Sequence, residues 1–455
     1  MKNVLLSVIF LSAIASAQTI SGGGFHSIAF CERNILQDWG YNDYGELGNG
    51  SNTDSNIPVI VSSLTSVIAV AAGNRHSLAL KKDGTVWAWG YNSTGQLGNG
   101  TNTDSDVPIQ VNSLTNVGVI AAGAGHSLAL KKDGTVWSWG SNWKGQLGDS
   151  TYTDSNVPVQ VKFLTGIISV ESGETHCLAL KNDGTVWVWG SNSYFQLGNG
   201  IILDSNVPIQ VSSLAGVIAI SGGQDHSIVL KNDGKVWAWG RNDAGQLGNG
   251  SYIHTAIPIQ VSSLINIIAI SGGWYHSLAL KNDGTVYAWG FNSNGQLGNG
   301  TTANSSVPVQ VSSLSGITEI SGGGVHSLAL KNSGTVWAWG YNSAGQLGNG
   351  SNTDSNVPVQ VIDLCQIATE VNEITEPLSV SVFPNPSSGI FTINLKNKTV
   401  ETKICVYNVL GNCLLEKNCR GETSQEINLS CQPRGIYFVE LLSGNKSVVR
   451  KVAVQ

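Results

Sequence analysis

Seven histidines recur at fifty-residue spacing: His26, His76, His126, His176, His226, His276 and His326. Imidazole is a common zinc ligand, but a metal centre needs several ligands converging on one point. Seven equivalent side chains spread over seven repeats do not converge. Each is therefore expected to order its own repeat by hydrogen bonding, with no metal bound. His254 stands outside the register with no evident partner. Asn52-Thr53-Asp54-Ser55-Asn56 alternates oxygen ligands like a calcium loop. It lacks the glycine and distal glutamate of the EF-hand pattern, and turn chemistry accounts for the same residues. Glu174 and Asp225 hold nearly equivalent places in successive repeats, a pairing that a glycosidase could use. Both read more simply as solvated loop residues. The sequence holds no GxSxG elbow, phosphate loop or HExxH, so no catalytic residue is assigned and no cofactor is expected.

The histidines sit in a text that recurs seven times without insertion or deletion, as in Ser271–Gly300. Trp-Gly pairs run in register from Trp39-Gly40 to Trp339-Gly340, and prolines from Pro58 to Pro358. A fixed period of this length signals an array or a propeller. Within one repeat, Val67–Ala72, Ser77–Leu80, Thr85–Trp89 and Val107–Val111 read as four strands, A to D. Asp83-Gly84 supplies the tight turn between B and C. No helical period is present. Four-stranded units of about 40–50 residues set radially make an all-β, seven-bladed β-propeller. Strand A ends in small residues that suit a crowded axis. Strand D is expected to begin with its proline, which belongs on an outer edge because it cannot donate to a ladder. Trp87 and Trp89 lie two apart and so face one neighbouring blade.

The run GxxHSLALKNDGTVWAWGxNxxGQLGNG is similar to the repeat of the RCC1 (regulator of chromosome condensation) family, whose members are seven-bladed propellers. The resemblance covers residues 18–364. The first repeat departs from it: Cys31-Glu32-Arg33-Asn34 replaces the Lys-Asn-Asp-Gly turn, and Gln37 stands where Trp87 does. That substitution is expected to weaken one contact between blades near the ring seam.

Residues 1–17 read as a secretory signal: one lysine, an apolar run, then Ala15-Ser16-Ala17. The formal net charge is −6, with no basic footprint for nucleic acid. Residues 365–379 read as a polar linker, although Cys365–Val371 could lend a strand that closes the ring. Residues 380–455 carry strand-like runs at Ile390–Leu395, Lys403–Asn408, Gly435–Leu441 and Val448–Val454, which suggest a small C-terminal β-sandwich. Cys405, Cys413, Cys419 and Cys431 in this tail could form two disulfides or remain free thiols. The motif Pro384-Asn385-Pro386 with Gly389, then Val406–Gly411, then Gly435-Ile436-Tyr437, with Lys451 near the end, resembles the C-terminal sorting domain of the type IX (Por) secretion system. That resemblance implies the type IX machinery as a partner, removal of the tail, and release or attachment at the cell surface.

Positions identical in all repeats serve the architecture, whereas positions free to differ are candidates for function. The pair before each histidine never recurs, and the stretches after Trp-Gly and in the C–D loop also vary. Alternating strand direction places A–B and C–D loops on one face, and the nearly constant B–C and D–A connections on the other. The variable face is expected to display Tyr44, Arg75, Trp143, Lys144, Glu174, Asp225, Arg241, Trp274, Tyr275 and Phe291. Aromatics and arginine are the usual interface anchors. The sequence thus reads as a secreted or cell-surface module, monomeric, binding an extracellular protein or glycan and not nucleic acid. The alternatives are an inhibitor of an extracellular enzyme and a carbohydrate-active enzyme. Guanine-nucleotide exchange, the activity that the family name suggests, is opposed by export and acidic charge.

Overall fold

The computed structural model describes residues 20–31, 35–364, 380–395, 402–408, 413–419, 424–443 and 446–455. The chain divides into two compact units, 1–365 and 366–455.

The first unit contains seven antiparallel sheets of four strands, each built from one repeat in the order A-B-C-D. In the second blade these are Val67–Ala72, His76–Lys81, Val86–Gly90 and Ser105–Gln110. The B–C turn forms as its chemistry dictates: Gly84 takes φ +80°, and Asp83 Oδ1 accepts the Thr85 amide at 3.0 Å. Pro108 is the fourth residue of strand D, not its first. The C–D ladder slips between Ala88 and Gly90, and the proline falls within that irregular stretch of an edge strand. Strands A line the axis around a cavity of about 120 Å³, walled largely by Ser, Ala and Gly.

Invariant residues interlock each blade with the next. Trp89 is fully buried among Ile28, Leu36 and Val61 of the first blade and Val67, Val70 and Ala79 of its own. Its indole Nε1 donates to the Glu46 carbonyl at 2.7 Å, and the same bond recurs in every blade, with Gln in place of Glu46 elsewhere. Ser77 Oγ also donates to the Glu46 carbonyl, at 3.0 Å. With its proton so committed, Ser77 Oγ accepts from His26 Nε2 at 2.9 Å. Each repeat histidine therefore orders the following blade rather than its own. The series ends with His326 on Ser27 at 2.8 Å, which makes a closed ring. Cys177 stands in for serine opposite His126, with Sγ at 3.1 Å.

Ring closure uses the same devices. Trp39 Nε1 of the first blade donates to the Gln346 carbonyl of the seventh at 2.9 Å, so the inner tryptophan contact survives where Gln37 replaces the outer one. A second cycle runs around the axis on backbone bonds alone: Gly24 N to Gly73 O, Asn74 to Gly123, Ala124 to Glu174, Glu174 to Gln224, Gln224 to Trp274, Trp274 to Gly324, and Gly324 to Gly23. These seven bonds are 2.9–3.2 Å long and fix the A–B loops as one rigid collar. Among the described residues no strand passes from one blade to another; the Cys365–Val371 segment lies outside them, as do residues 1–17.

The second unit pairs a three-stranded sheet (Val380–Phe383, Ile390–Leu395, Ser424–Asn428) with a four-stranded one (Cys413–Cys419, Thr402–Asn408, Gly435–Ser443, Lys446–Val454). Phe391, Ile393 and Ile427 of the first meet Ile404, Val406, Val439 and Val452 of the second in one core, a β-sandwich. Three of its strands, Val380–Phe383, Cys413–Cys419 and Ser424–Asn428, are not among the runs expected from the sequence. Cys405, Cys413 and Cys431 carry free thiols, so the two-disulfide alternative does not hold.

Candidate functional site

Buried constant residues hold the variable loops. Asn92 is fully buried at the mouth of its C–D loop. Its Nδ2 donates to the Thr101 and Thr103 carbonyls at 3.1 and 2.9 Å, its Oδ1 accepts the Leu97 amide at 2.9 Å, and its own amide donates to Asp104 at 2.7 Å. Asp54 plays that last part in the first blade, accepting the Asn42 amide at 2.8 Å. His254 does so in the fifth, its Nδ1 accepting the Asn242 amide at 2.9 Å. The off-register histidine thus has a partner, and the Asn52–Asn56 stretch has a structural task. A–B and C–D loops meet on one face, as where Tyr91 N donates to Arg75 O at 2.8 Å. B–C and D–A connections meet on the other, as where Lys82 N donates to Ser66 O at 2.9 Å.

On the variable face, half-buried rings form a continuous row across blades six, seven, one and two. Trp274 meets Phe25 edge-on at 5.1 Å between centroids, and Phe25 meets Tyr341 at 6.1 Å and Tyr41 at 6.4 Å. Tyr41 leads to Tyr44 at 6.4 Å, and Tyr44 to Tyr91 at 4.7 Å. Trp274 reaches the first blade because the seventh offers Gly324 beneath it. A Cβ there would lie 2.8 Å from the indole. The Arg75 guanidinium lies 5.1 Å from the Tyr44 ring centre and donates to the Tyr44 hydroxyl at 3.3 Å.

A second cluster joins blades four, five and six. Arg241 lies between Tyr194 and Tyr275, at 4.6 and 4.9 Å from their ring centres, and Tyr275 meets Phe291 at 6.1 Å. Arg241 is ion-paired to Asp243 at 2.8 Å and to Asp225 at 3.3 Å. Gln196 Nε2 also donates to Asp225, at 3.1 Å. Glu174 and Asp225 are half-buried rather than solvated, and burial raises both carboxyls above their ordinary range. Against that burial, the Arg241 guanidinium pairs with Asp225 and favours its charged form. On the axial wall, burial pushes the Glu171 carboxyl up to about 8.

A third group lies on the rim of blades three to five. Trp143 is 63% exposed, and Lys144 reaches over its ring at 4.8 Å to pair with Asp204 at 2.9 Å. Tyr152, Ile201, Ile202, Leu203, Tyr252 and Ile253 are exposed in the C–D loops beside it. Backbone bonds knit these blades together, Ser150 N to Asn206 O and Gly200 N to Ala256 O, both at 3.0 Å.

The ten residues singled out in the sequence therefore divide into three groups: Tyr44, Arg75 and Trp274; Glu174, Asp225, Arg241, Tyr275 and Phe291; Trp143 and Lys144. Sequence reasoning missed Phe25, Tyr41, Tyr91, Tyr341 and Tyr194 as members. Their signal was available as aromatics at the variable positions, but the blade adjacency that unites them was not.

Two acids distinguish the first blade. Asp38 and Glu46 replace the Ala, Ser or Val and the Gln of the other repeats, and both are fully buried. Burial pushes Glu46 up to about 7 and Asp38 well above the carboxylate range. In the C-terminal unit, Cys405 and Cys413 thiols and a Glu416 carboxylate oxygen lie within 4.8 Å of one another, the one such grouping among the described residues. Lys403 already pairs with Glu416 at 2.8 Å. Of the sorting motif, Asn385 Nδ2 donates to the Lys451 carbonyl at 2.8 Å and its Oδ1 accepts the Ala453 amide at 2.9 Å. These bonds tie the Pro384–Pro386 turn to the final strand. Gly389 takes φ +105° close against Ser430, and the Tyr437 hydroxyl donates to the Pro433 carbonyl. Gly435 opens its strand; Gly411 lies outside the described residues.

Comparison with known proteins places these features. The profile of the RCC1-like domain matches residues 5–314, and RCC1 repeat profiles match 333–371 and 317–346. The secretion system C-terminal sorting domain matches residues 381–455. Human WBSCR16 superposes with a TM-score of 0.66 at 23% identity, covering 72% of this chain and 93% of that one. Yeast RCC1 (Prp20), solved bound to Kap60, gives 0.66 at 22% identity over 84% and 94%. An endo-acting ulvan lyase from Formosa agariphila is 38% identical over 72 residues, 16% of this chain and 14% of that enzyme. The chain thus matches only a small part of that enzyme's length. The sorting domain marks the protein for export by the type IX system, to the cell surface or the medium. With its match extending over more than half its length, the chain belongs to the RCC1-like domain family.

Proposed function

We propose that this protein is a secreted or cell-surface binding module that holds an extracellular glycan or protein on its A–B/C–D loop face. In this reading residues 18–364 form the binding propeller, 365–379 a linker, and 380–455 the sorting domain, with 1–17 removed on export. The propeller acts as a monomer. The observation that carries the reading is the row of six rings from Trp274 to Tyr91, ordered by mutual contact and left half-exposed on a rigid collar. Rings already held in place lose little freedom on binding, which favours affinity. Binding residues also concentrate on variable loops over a rigid scaffold. RCC1-like propellers are generally non-enzymatic, though some members are exchange factors. Ion pairing of Asp225 to Arg241 leaves that carboxylate poorly suited to glycoside hydrolysis. Nucleotide exchange on a GTPase is opposed by export.

The test presents the full chain and its Trp274→Ala/Tyr275→Ala variant to a glycan array and to proteins of the culture medium. A ligand retained undiminished by the variant overturns the assignment to this face. The exposed rim of Trp143, Tyr152, Ile201–Leu203 and Ile253 favours a second reading, in which an extracellular enzyme docks there and is blocked. Inhibition of such an enzyme that survives Trp274→Ala but not Leu203→Asp would select it.

A further inference from the structure

Resting on the loop-face reading, we infer that the ligand is an acidic polysaccharide. Its sugar rings lie along the row from Trp274 to Tyr91, and Arg75 holds one of its carboxylate or sulfate groups.

The shape of the face argues for a chain-like ligand. The axial cavity, at about 120 Å³, is smaller than the roughly 300 Å³ at which small-molecule pockets begin. A ligand must therefore lie across the face. Centroid steps of 5.1, 6.4, 6.4 and 4.7 Å from Trp274 through Phe25, Tyr41 and Tyr44 to Tyr91 make a shallow, extended track. Its members offer π-faces and, from the tyrosines, hydroxyls, with no aliphatic side chain among them. The exposed aliphatic side chains of the variable face are concentrated instead on the rim of blades three to five, where a protein partner would find its anchors. Stacking against a track with hydroxyl handles suits sugar rings better than a protein knob.

Charge decides the ligand's sign. Three cations stand out on this face. Lys144 is paired with Asp204, and Arg241 with Asp225 and Asp243. Among the described residues no carboxylate lies within ion-pair distance of Arg75; its hydrogen bond goes to the Tyr44 hydroxyl at 3.3 Å. A guanidinium carries five donors in a planar fork that matches carboxylate and sulfate-like oxyanions. Asp43, the exposed acid beside the row, accepts from the Tyr41 hydroxyl at 2.7 Å. Burial pushes the Glu46 carboxyl, which also feels the Arg75 charge, up to about 7, and this lessens its own charge. The site is thus a cation seated at the end of an aromatic track.

The experiment titrates the full chain by calorimetry with an oligogalacturonate, with dextran sulfate, and with a neutral cello-oligosaccharide. We expect one or both acidic probes to bind and to weaken at least tenfold in Arg75→Gln and in Trp274→Ala. The neutral probe should bind at least tenfold more weakly, and Lys144→Gln should leave the acidic probe unaffected. The two acidic arms distinguish carboxylate from sulfate. An unchanged melting temperature in Arg75→Gln, with Arg75→Lys as a partial-rescue control, separates lost contact from lost fold. Equal affinity for acidic and neutral probes, or acidic binding indifferent to Arg75→Gln, overturns the inference. If no saccharide binds while a protein is captured and then lost in Trp274→Ala/Tyr275→Ala, the inference falls and the loop-face reading stands.

Discussion

The seams between blades and the loop face are made of the same seven repeats, yet they treat polar groups in opposite ways. At each seam a buried His donates to a Ser (Cys177 once), that side chain and a buried Trp both donate to one Gln or Glu46 carbonyl, and the chemistry scarcely changes from blade to blade. On the loop face the backbone is equally fixed, by the collar of seven amide bonds, but the side chains differ in every blade. Buried polar groups tolerate little variation because an unmatched partner costs its full desolvation penalty. Exposed ones are free to be selected for something else. Repetition therefore records architecture, and departure from it points to function.

Acid should attack the seams first and give the largest effect. Burial holds the seven repeat histidines neutral, lowering each to about 3 or 4. The unfolded chain takes up protons near pH 6.5, the folded chain only near pH 3–4, so stability falls as pH drops through that window. Each histidine contributes about 1.4 kcal/mol per pH unit at most. The raised carboxyls of Asp38, Glu46 and Glu171 act oppositely, favouring the fold as pH falls from about 8 toward their ordinary values. Thermal midpoints should rise slightly or stay level from pH 8 to 6.5, then collapse below pH 5. A flat profile to pH 4 would contradict the neutral histidine ring.

Trp189→Ala removes a seam tryptophan buried completely between blades three and four. Loss of about 3–5 kcal/mol is expected in denaturant titration, with ligand binding unchanged while the fold persists. Gly324→Ala tests the join between the two regions. The added methyl meets the Trp274 indole and the Gly24 carbonyl, so about 1–3 kcal/mol should be lost together with binding. Cys177→Ser restores the repeat pattern at its one exception. A gain of up to about 1 kcal/mol is expected, because a hydroxyl donates to the Gln146 carbonyl better than a thiol does.

The strands, the blade count and the direction in which the tryptophans face were legible in the sequence because each repeats seven times. The histidines were read as ordering their own blades because their partner, the serine fifty-one residues on, is visible only once blades are laid side by side. The proline of strand D was misplaced because a ladder irregularity, not a strand start, accommodates it. The site was legible as a list of variable residues but not as a surface. Phe25 and Trp274 are about 250 residues apart in sequence, and they touch because the ring closes and because Gly324 leaves room.

The most direct test of the central claim is amide hydrogen exchange on the full chain with and without saturating ligand. Protection should appear at the A–B loops around Phe25, Arg75 and Trp274, and at the C–D loops of Tyr41–Tyr44 and Tyr91. The B–C turns such as Lys81–Gly84 should be unchanged. Protection confined to the B–C and D–A connections would place the ligand on the uniform face and contradict the account.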